Sequence, residues 1–307
     1  MAQLDKISVN NVEYDIGGIA VPQTANALPA SNTALTPNTI YSPTTKLGTY
    51  VFKPPTTDNK WAHGKFTTGA SVNISFRGQF LGAAPTIKAN TTYEFDVYDS
   101  TWIVQEVVTI PISDLPLGAL INIGTDGGAG TPNYEIADKN NLVSGGVVLV
   151  RKNIYSKSAF GSNTNYPNGT LDNLIKSTIY NKMPQQLRDK MMDVTFNLSG
   201  SGNITRKMFA LTYTMAGFGN NGSVAEGKAL QLYTSNASRI KTFNGSANYW
   251  WLSSRSPSNF VHIVILDGST LGDSHTNSEG VVPAFVIPSK TPYDPTPNTD
   301  GSYNLIL

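Results

Sequence analysis

The stretch Asn248–Ile263 reads NYWWLSSRSPSNFVHI. Three consecutive aromatic residues, including two of the four tryptophans in the chain, run into a tract of serine, arginine and asparagine. If 248–253 is a strand, Trp250 and Trp251 point to opposite faces, and each pins a different layer. Each buries apolar area worth a few kcal/mol at ~25 cal/mol per Å². A second stiff segment, GVVPAFVIP (280–288), follows, with Pro283 and Pro288 restricting its backbone. Between these anchors, 253–259 and 269–278 consist mainly of small polar side chains that cannot hold a core. The reading is a frame (Trp250, Trp251, Pro283) carrying two irregular loops free to bind something. The candidate ligand-binding residues are Ser254, Arg255, Ser258, Asn259, Phe260, His262, Asp273, His275 and Asn277. Arg255 and Phe260 are the expected anchors, because arginine and aromatics concentrate interface energy.

The rest of the composition narrows the class. The chain has 307 residues, enough for a main domain and a smaller one. Only 14% of residues are charged and the net charge is +1, with Lys and Arg scattered singly. Nothing in that balance pulls the chain toward nucleic acid or an anionic membrane. Absence of cysteine excludes disulfides, thiol catalysis and thiolate metal sites. The opening "ISVNNVEYDI" alternates rather than forming an apolar core, so no secretory signal is expected. No apolar run reaches membrane-spanning length. A bacterial or phage product folded in a reducing compartment and used outside fits these features.

Periodicity divides the chain into five parts. Residues 1–21 read as a β-hairpin around Asn10–Asn11, residues that tolerate positive φ. Residues 22–45, rich in Pro, Thr and Asn, read as an extended linker. The alternating segments "TYVFK", "SVNISF", "TYEFDVY" and "TWIVQEVVTI" place a small β-sandwich-like domain over 46–117. Residues 118–290 form the main domain, and 291–307 a tail whose last three apolar residues tuck onto the body. Within the main domain, Leu171, Leu174, Ile175 and Ile179 share a helical face that Thr170 can cap. Pro184 opens a second helix with Leu187 and Met191 four apart. Strands, two adjacent helices, then short strands with long loops is an α+β order.

Catalytic motifs are not found. The three histidines, His63, His262 and His275, show no HExxH or paired spacing. His262 alternates with Phe260 and Val264 in what reads as a strand. The segment GTDGGAG (124–130) lacks the GK[ST] ending of a phosphate loop and reads as a turn. Asp267 and Asp273 lie close enough for paired-carboxylate or calcium chemistry to be considered, but Asp267–Gly268 has the form of a turn. Catalytic residues, metal and cofactor are all expected to be none.

The late segment, with Tyr249–Leu252, Val264, Asp267–Ser269, Gly280–Val281, Pro283–Phe285 and Pro288–Ser289, resembles a bacterial and phage family with the C-type lectin fold, whose pattern is WWLRSP…DGS…GVRPAF. "GVVLVRKNIY", "LDNLI", "TRKMFALTYTMAG" and "NASRIKTFNGSANYWWL" follow the same pattern upstream. Two positions depart from it: LSSRSP stands for LRSP, and Val282 replaces the arginine of GVRPA. The resemblance implies a C-type lectin-like domain with two helices and short irregular strands, preceded by a smaller all-β domain. Formylglycine-generating enzymes share that fold but need a cysteine, which this chain lacks.

Some members of that fold are variable proteins of diversity-generating retroelements, mutated at adenines in AAY codons. Such changes cannot produce Lys, Gln, Glu, Met or Trp, and none of the five occurs in 252–278. The opening MAQLDKISVNNVEYDI resembles that of tail- or head-fibre proteins. The combined expectation is a phage receptor-binding or fibre protein, a homotrimer on the virion, adhering outside the cell to a bacterial surface protein or glycan. The competing expectations are a structural virion decoration protein and a surface-polysaccharide hydrolase.

Overall fold

The computed structural model describes residues 3–9, 12–20, 27–37, 39–41, 46–56, 60–107 and 110–307, with side chains from residue 27 onward, Ser258 excepted. The chain divides into two units, Met1–Val108 and Thr109–Leu307.

In the first unit the strands Gln3–Val9 and Val12–Ala20 pair antiparallel, with Val9 opposite Val12. The expected turn at Asn10–Asn11 lies outside the described residues. A larger sheet is built on the 16-residue strand Trp61–Phe76. Its first half pairs with Thr92–Tyr98 and, in parallel, with Thr39–Tyr41; its second half pairs with Leu47–Phe52. Alternation turns Phe66 inward, against Phe52, Tyr93 and Phe95, and these rings and Trp102 fill the core. Part of the segment read as a linker belongs to this unit: Leu35 and Tyr41 are buried in its core. Residues 21–26, 38 and 42–45 of that stretch are outside the described ones.

The second unit holds two main sheets. Six strands run in the order Met208–Ala210, Pro283–Pro288, Gly146–Arg151, Asn133–Lys139, Leu120–Asn122, Tyr303–Asn304. Gly146–Arg151 is buried along its whole length, as suits a near-continuous apolar run (GVVLVR) between two neighbours. The division between units falls before Ile112 and Leu115, which pack in this second core. In the tail, Leu305 packs against it, while Ile306 and Leu307 are exposed. A five-stranded sheet runs Lys157–Ala159, Ser278–Gly280, Trp250–Arg255, Val261–Val264, Thr270–Asp273.

The expected α+β class, a C-type lectin-like domain with two helices after a smaller all-β domain, is overturned. Strand accounts for 41% of the structure and helix for only 10%, spread over several sheets. Helices do form where the periodicity places them, but they are short. One helical run covers 170–182, with a π-helical middle at Leu174–Ile179. It buries Leu171, Ile175 and Ile179, and its N-cap is Gly169, with Thr170 already inside the helix. The second is Gln185–Lys190, capped by Pro184. What the pattern reading counted as loop is largely strand of two to six residues, too short for period-2 alternation to register.

Two buried acids of this unit, Asp126 and Glu135, are held in ion pairs. Arg151, wholly buried, donates from Nε to Asp126 Oδ2 at 2.6 Å, and Tyr134 donates to the same oxygen at 3.0 Å. Asp126 also accepts the Gly128 amide, and Arg151 reaches the Ala129 carbonyl, so the glycine-rich loop is wrapped around an ion pair. A Cβ on Gly128 would lie 2.3 Å from the Tyr155 ring, which is why glycine is required there. Glu135 similarly gathers Lys241, Lys152 and the Tyr233 hydroxyl. Burial opposes ionisation of Glu135, yet its two lysines hold the carboxyl below its usual range.

Candidate ligand-binding surface

The strand Trp250–Arg255 carries the surface out of the core. Trp250 and Trp251 have no exposed area. Their indole N–H groups diverge, Trp250 donating to Arg239 O at 3.0 Å and Trp251 to Ser158 O at 2.8 Å. The Trp251 ring meets Phe160 edge-on at 5.5 Å. Beyond Trp251 the register with Val261–Val264 slips, so that Arg255 faces Val261. The local bulge re-aims the strand end. Ser256 then donates its amide to Phe260 O at 2.9 Å, closing a short 3-10 turn over Pro257–Asn259. Asn259 adopts φ +63, a conformation asparagine accepts readily.

The two long irregular loops of the sequence reading are therefore absent. Most of 250–280 is strand: Trp250–Arg255, Val261–Val264, Thr270–Asp273 and Ser278–Gly280. Serine and threonine in short, twisted strands leave no apolar alternation to read. The surface consists of strand ends and tight turns.

The candidate residues separate into three sets. Arg255, Asn259 and Phe260 are exposed around one turn, Phe260 at 44%. Gly272 sits beneath them; a Cβ there would lie 3.1 Å from Ser256 Oγ and 3.2 Å from Phe260 Cβ. The Ser258 side chain lies outside the described residues. Asp273, His275 and Asn277 form a second cluster at the same end of the sheet, since Arg255 and Asp273 both flank Val261. That cluster is tied internally. Asp273 Oδ1 accepts from the Ser274 amide at 2.8 Å and from Asn277 Nδ2 at 2.7 Å. His275 Nδ1 lies 3.0 Å from Gly161 O, and the His275 carbonyl accepts the Phe160 amide at 3.0 Å. A carbonyl only accepts, so Nδ1 carries the proton and His275 holds the turn to its neighbour.

Two residues depart from the expected display. Ser254 is wholly buried, accepting the Tyr213 amide at 2.7 Å and donating to Glu226 Oε2. These hydrogen bonds make it part of the frame. His262 is half-buried against Tyr213, ring centroids 4.4 Å apart, and neither of its ring nitrogens has a hydrogen-bond partner among the described residues. Burial pushes this imidazole down to about 4. Asp267, considered for calcium, closes its own turn onto the Ser269 amide and hydroxyl, which hold its carboxyl below the ordinary range. Among the described residues no three His, Cys, Asp or Glu side chains gather as a metal site.

Sequence reasoning missed the other walls. Arg255 borders a groove of about 290 Å³ whose remaining sides are the hairpin tip at 199–200 and the turn at 221–224. Below it lies Glu226, wholly buried. One carboxylate oxygen accepts the Ser199 amide at 2.8 Å and Asn221 Nδ2 at 3.2 Å; the other accepts Ser254 Oγ. Asn221 Nδ2 also donates to the Arg255 carbonyl at 2.7 Å. One acid thus ties three distant segments into one surface. The available signal was a lone glutamate inside the turn-rich GFGNNGSVAEG of a charge-poor chain. With a guanidinium, hydroxyls and an amide along its sides, the groove is equipped for hydrogen bonding to an acceptor-rich ligand.

Residues 144–289 match the model of a domain of unknown function, DUF6273. No curated protein and no solved structure matches the chain.

Proposed function

We propose that the chain is a receptor-binding or fibre protein of a phage virion, acting outside the cell, whose second unit adheres to a bacterial surface protein or glycan. The single observation that carries this reading is the contrast along one strand. Trp250 and Trp251 are sealed in the core, while four residues later Arg255, and then Asn259 and Phe260, stand in solvent. Side chains so placed contribute little to folding and are free to serve recognition. The role is binding rather than catalysis, requires no cofactor, and is carried by a homotrimer. The likeness of 249–289 to a bacterial and phage family with retroelement-diversified members supports variation of this surface.

Adsorption of the labelled, purified protein to a panel of bacterial hosts tests the reading. Saturable binding to particular hosts, and a solution mass of three chains, are the expected results. No adsorption to any host would leave a decoration role in its place. A neighbouring reverse-transcriptase gene with a near-copy of codons 250–280, differing mainly at adenines, would establish diversification.

A further inference from the structure

We infer that the groove between Arg255, the 199–200 hairpin tip and the 221–224 turn receives the anionic group, a carboxylate or a phosphate, of a bacterial surface glycopolymer. This rests on the adhesion reading and names the chemistry of its ligand.

The groove offers donors. Arg255 is exposed, and its guanidinium has no hydrogen bond or ion pair with any described residue. It leans across the hairpin tip, where a Cβ on Gly200 would be 3.6 Å from its Nη1. A planar fork with free N–H groups is matched to a carboxylate or phosphate. Ser199, Ser223 and Ser256 add hydroxyls along the sides. The turn 221–224 is closed in both directions, Asn221 N to Val224 O at 2.9 Å and Val224 N to Asn221 O at 3.2 Å. Gly222 at φ +64 shapes it, and the amides of Gly222 and Ser223 have no partner among the described residues. The carboxylate nearest the groove walls described above, Glu226, has its oxygens occupied by Ser199, Asn221 and Ser254. It braces the walls and offers no acceptor to the groove.

Size separates a glycan from a protein ligand. A volume of about 290 Å³ lies at the lower end of small-ligand sites. A stable protein partner needs roughly 800 Å² from each side and apolar anchors at its centre. The groove lining supplies only Val224 and Pro257 as apolar residues.

Three probes test the inference: oligogalacturonate, a glycerol-phosphate oligomer and the neutral maltohexaose, titrated by calorimetry at low and high salt. Binding of one or both anionic oligomers, weakened by salt, is expected, and which of them binds identifies the group. Arg255→Gln should weaken it at least about tenfold, with Arg255→Lys intermediate. Its melting temperature should not change, because the side chain is exposed. Failure of both anionic probes, equal binding of maltohexaose, or indifference to Arg255→Gln would overturn the inference. Host adsorption separates it from its premise. Adsorption undiminished in Arg255→Gln, or abolished by protease treatment of the host, removes the groove ligand and keeps adhesion. Anionic oligomer binding without wild-type adsorption to any host removes adhesion and keeps the groove.

Discussion

Replacing Trp251 by alanine measures how far stability is concentrated in the frame. The indole is wholly buried, packs on Phe160 and donates to the Ser158 carbonyl. Truncating a core tryptophan costs about 3–5 kcal/mol, and an unpaired partner adds about 1 kcal/mol. In a unit of roughly 200 residues each kcal/mol lowers the melting temperature by about 2–4 °C, so a fall of about 10–20 °C is expected. The companion is the double variant Arg255→Ala/Phe260→Ala. Surface changes stay within about 0.5 kcal/mol each, which limits its fall to about 4 °C. Calorimetry of the intact chain, following the transition that Trp251→Ala moves, reads both. A double variant that falls as far as Trp251→Ala would refute the separation of frame from display. So would a Trp251→Ala shift below about 4 °C.

His262→Leu removes two nitrogens that have no partner among the described residues, and urea unfolding at pH 7 should give a midpoint no lower than wild type. Because burial lowers the folded imidazole to about 4, below its unfolded value, the neutral form stabilises above about pH 6.5. That stability is lost as pH falls toward 4, so wild type should lose stability over this interval relative to His262→Leu, seen by urea unfolding at a series of pH values. Gly268→Ala should destabilise by more than 1 kcal/mol on the same assay, since φ is +79 and a Cβ would strike the Asn236 carbonyl. Asp172→Ala strips a buried carboxylate from the Arg206 fork, held at 2.7 and 2.9 Å, and should cost about 3–5 kcal/mol by thermal unfolding.

Burial of Trp250 and Trp251 is the kind of feature a sequence carries, because two large rings in a polar chain have few other places to go. The helical face at Leu171, Ile175 and Ile179 is legible for the same reason of period. What misled was proportion. Those helices are visible because their pattern is strong, whereas strands such as Thr270–Asp273 and Ser278–Gly280 are short and mostly polar. An α+β order results from counting the loud elements. Ser254 illustrates a finer limit: its small polar side chain carries no local sign of the buried Glu226 carboxylate that receives its hydroxyl. Glu226 itself acts through segments nearly thirty residues apart on either side, Ser199 and Ser254, and no local spacing reports such a convergence.

The strand Pro283–Pro288 lies between Met208–Ala210 and Gly146–Arg151, bonded to both. A chain emerging from the ribosome therefore holds a gap at the heart of its principal sheet until residues 283–288 have been made. Nothing built earlier in the second unit can be sealed before then. Folding of this half should be late, slow and all at once, and a nascent chain halted before residue 283 should be cut readily by proteases that spare the finished molecule.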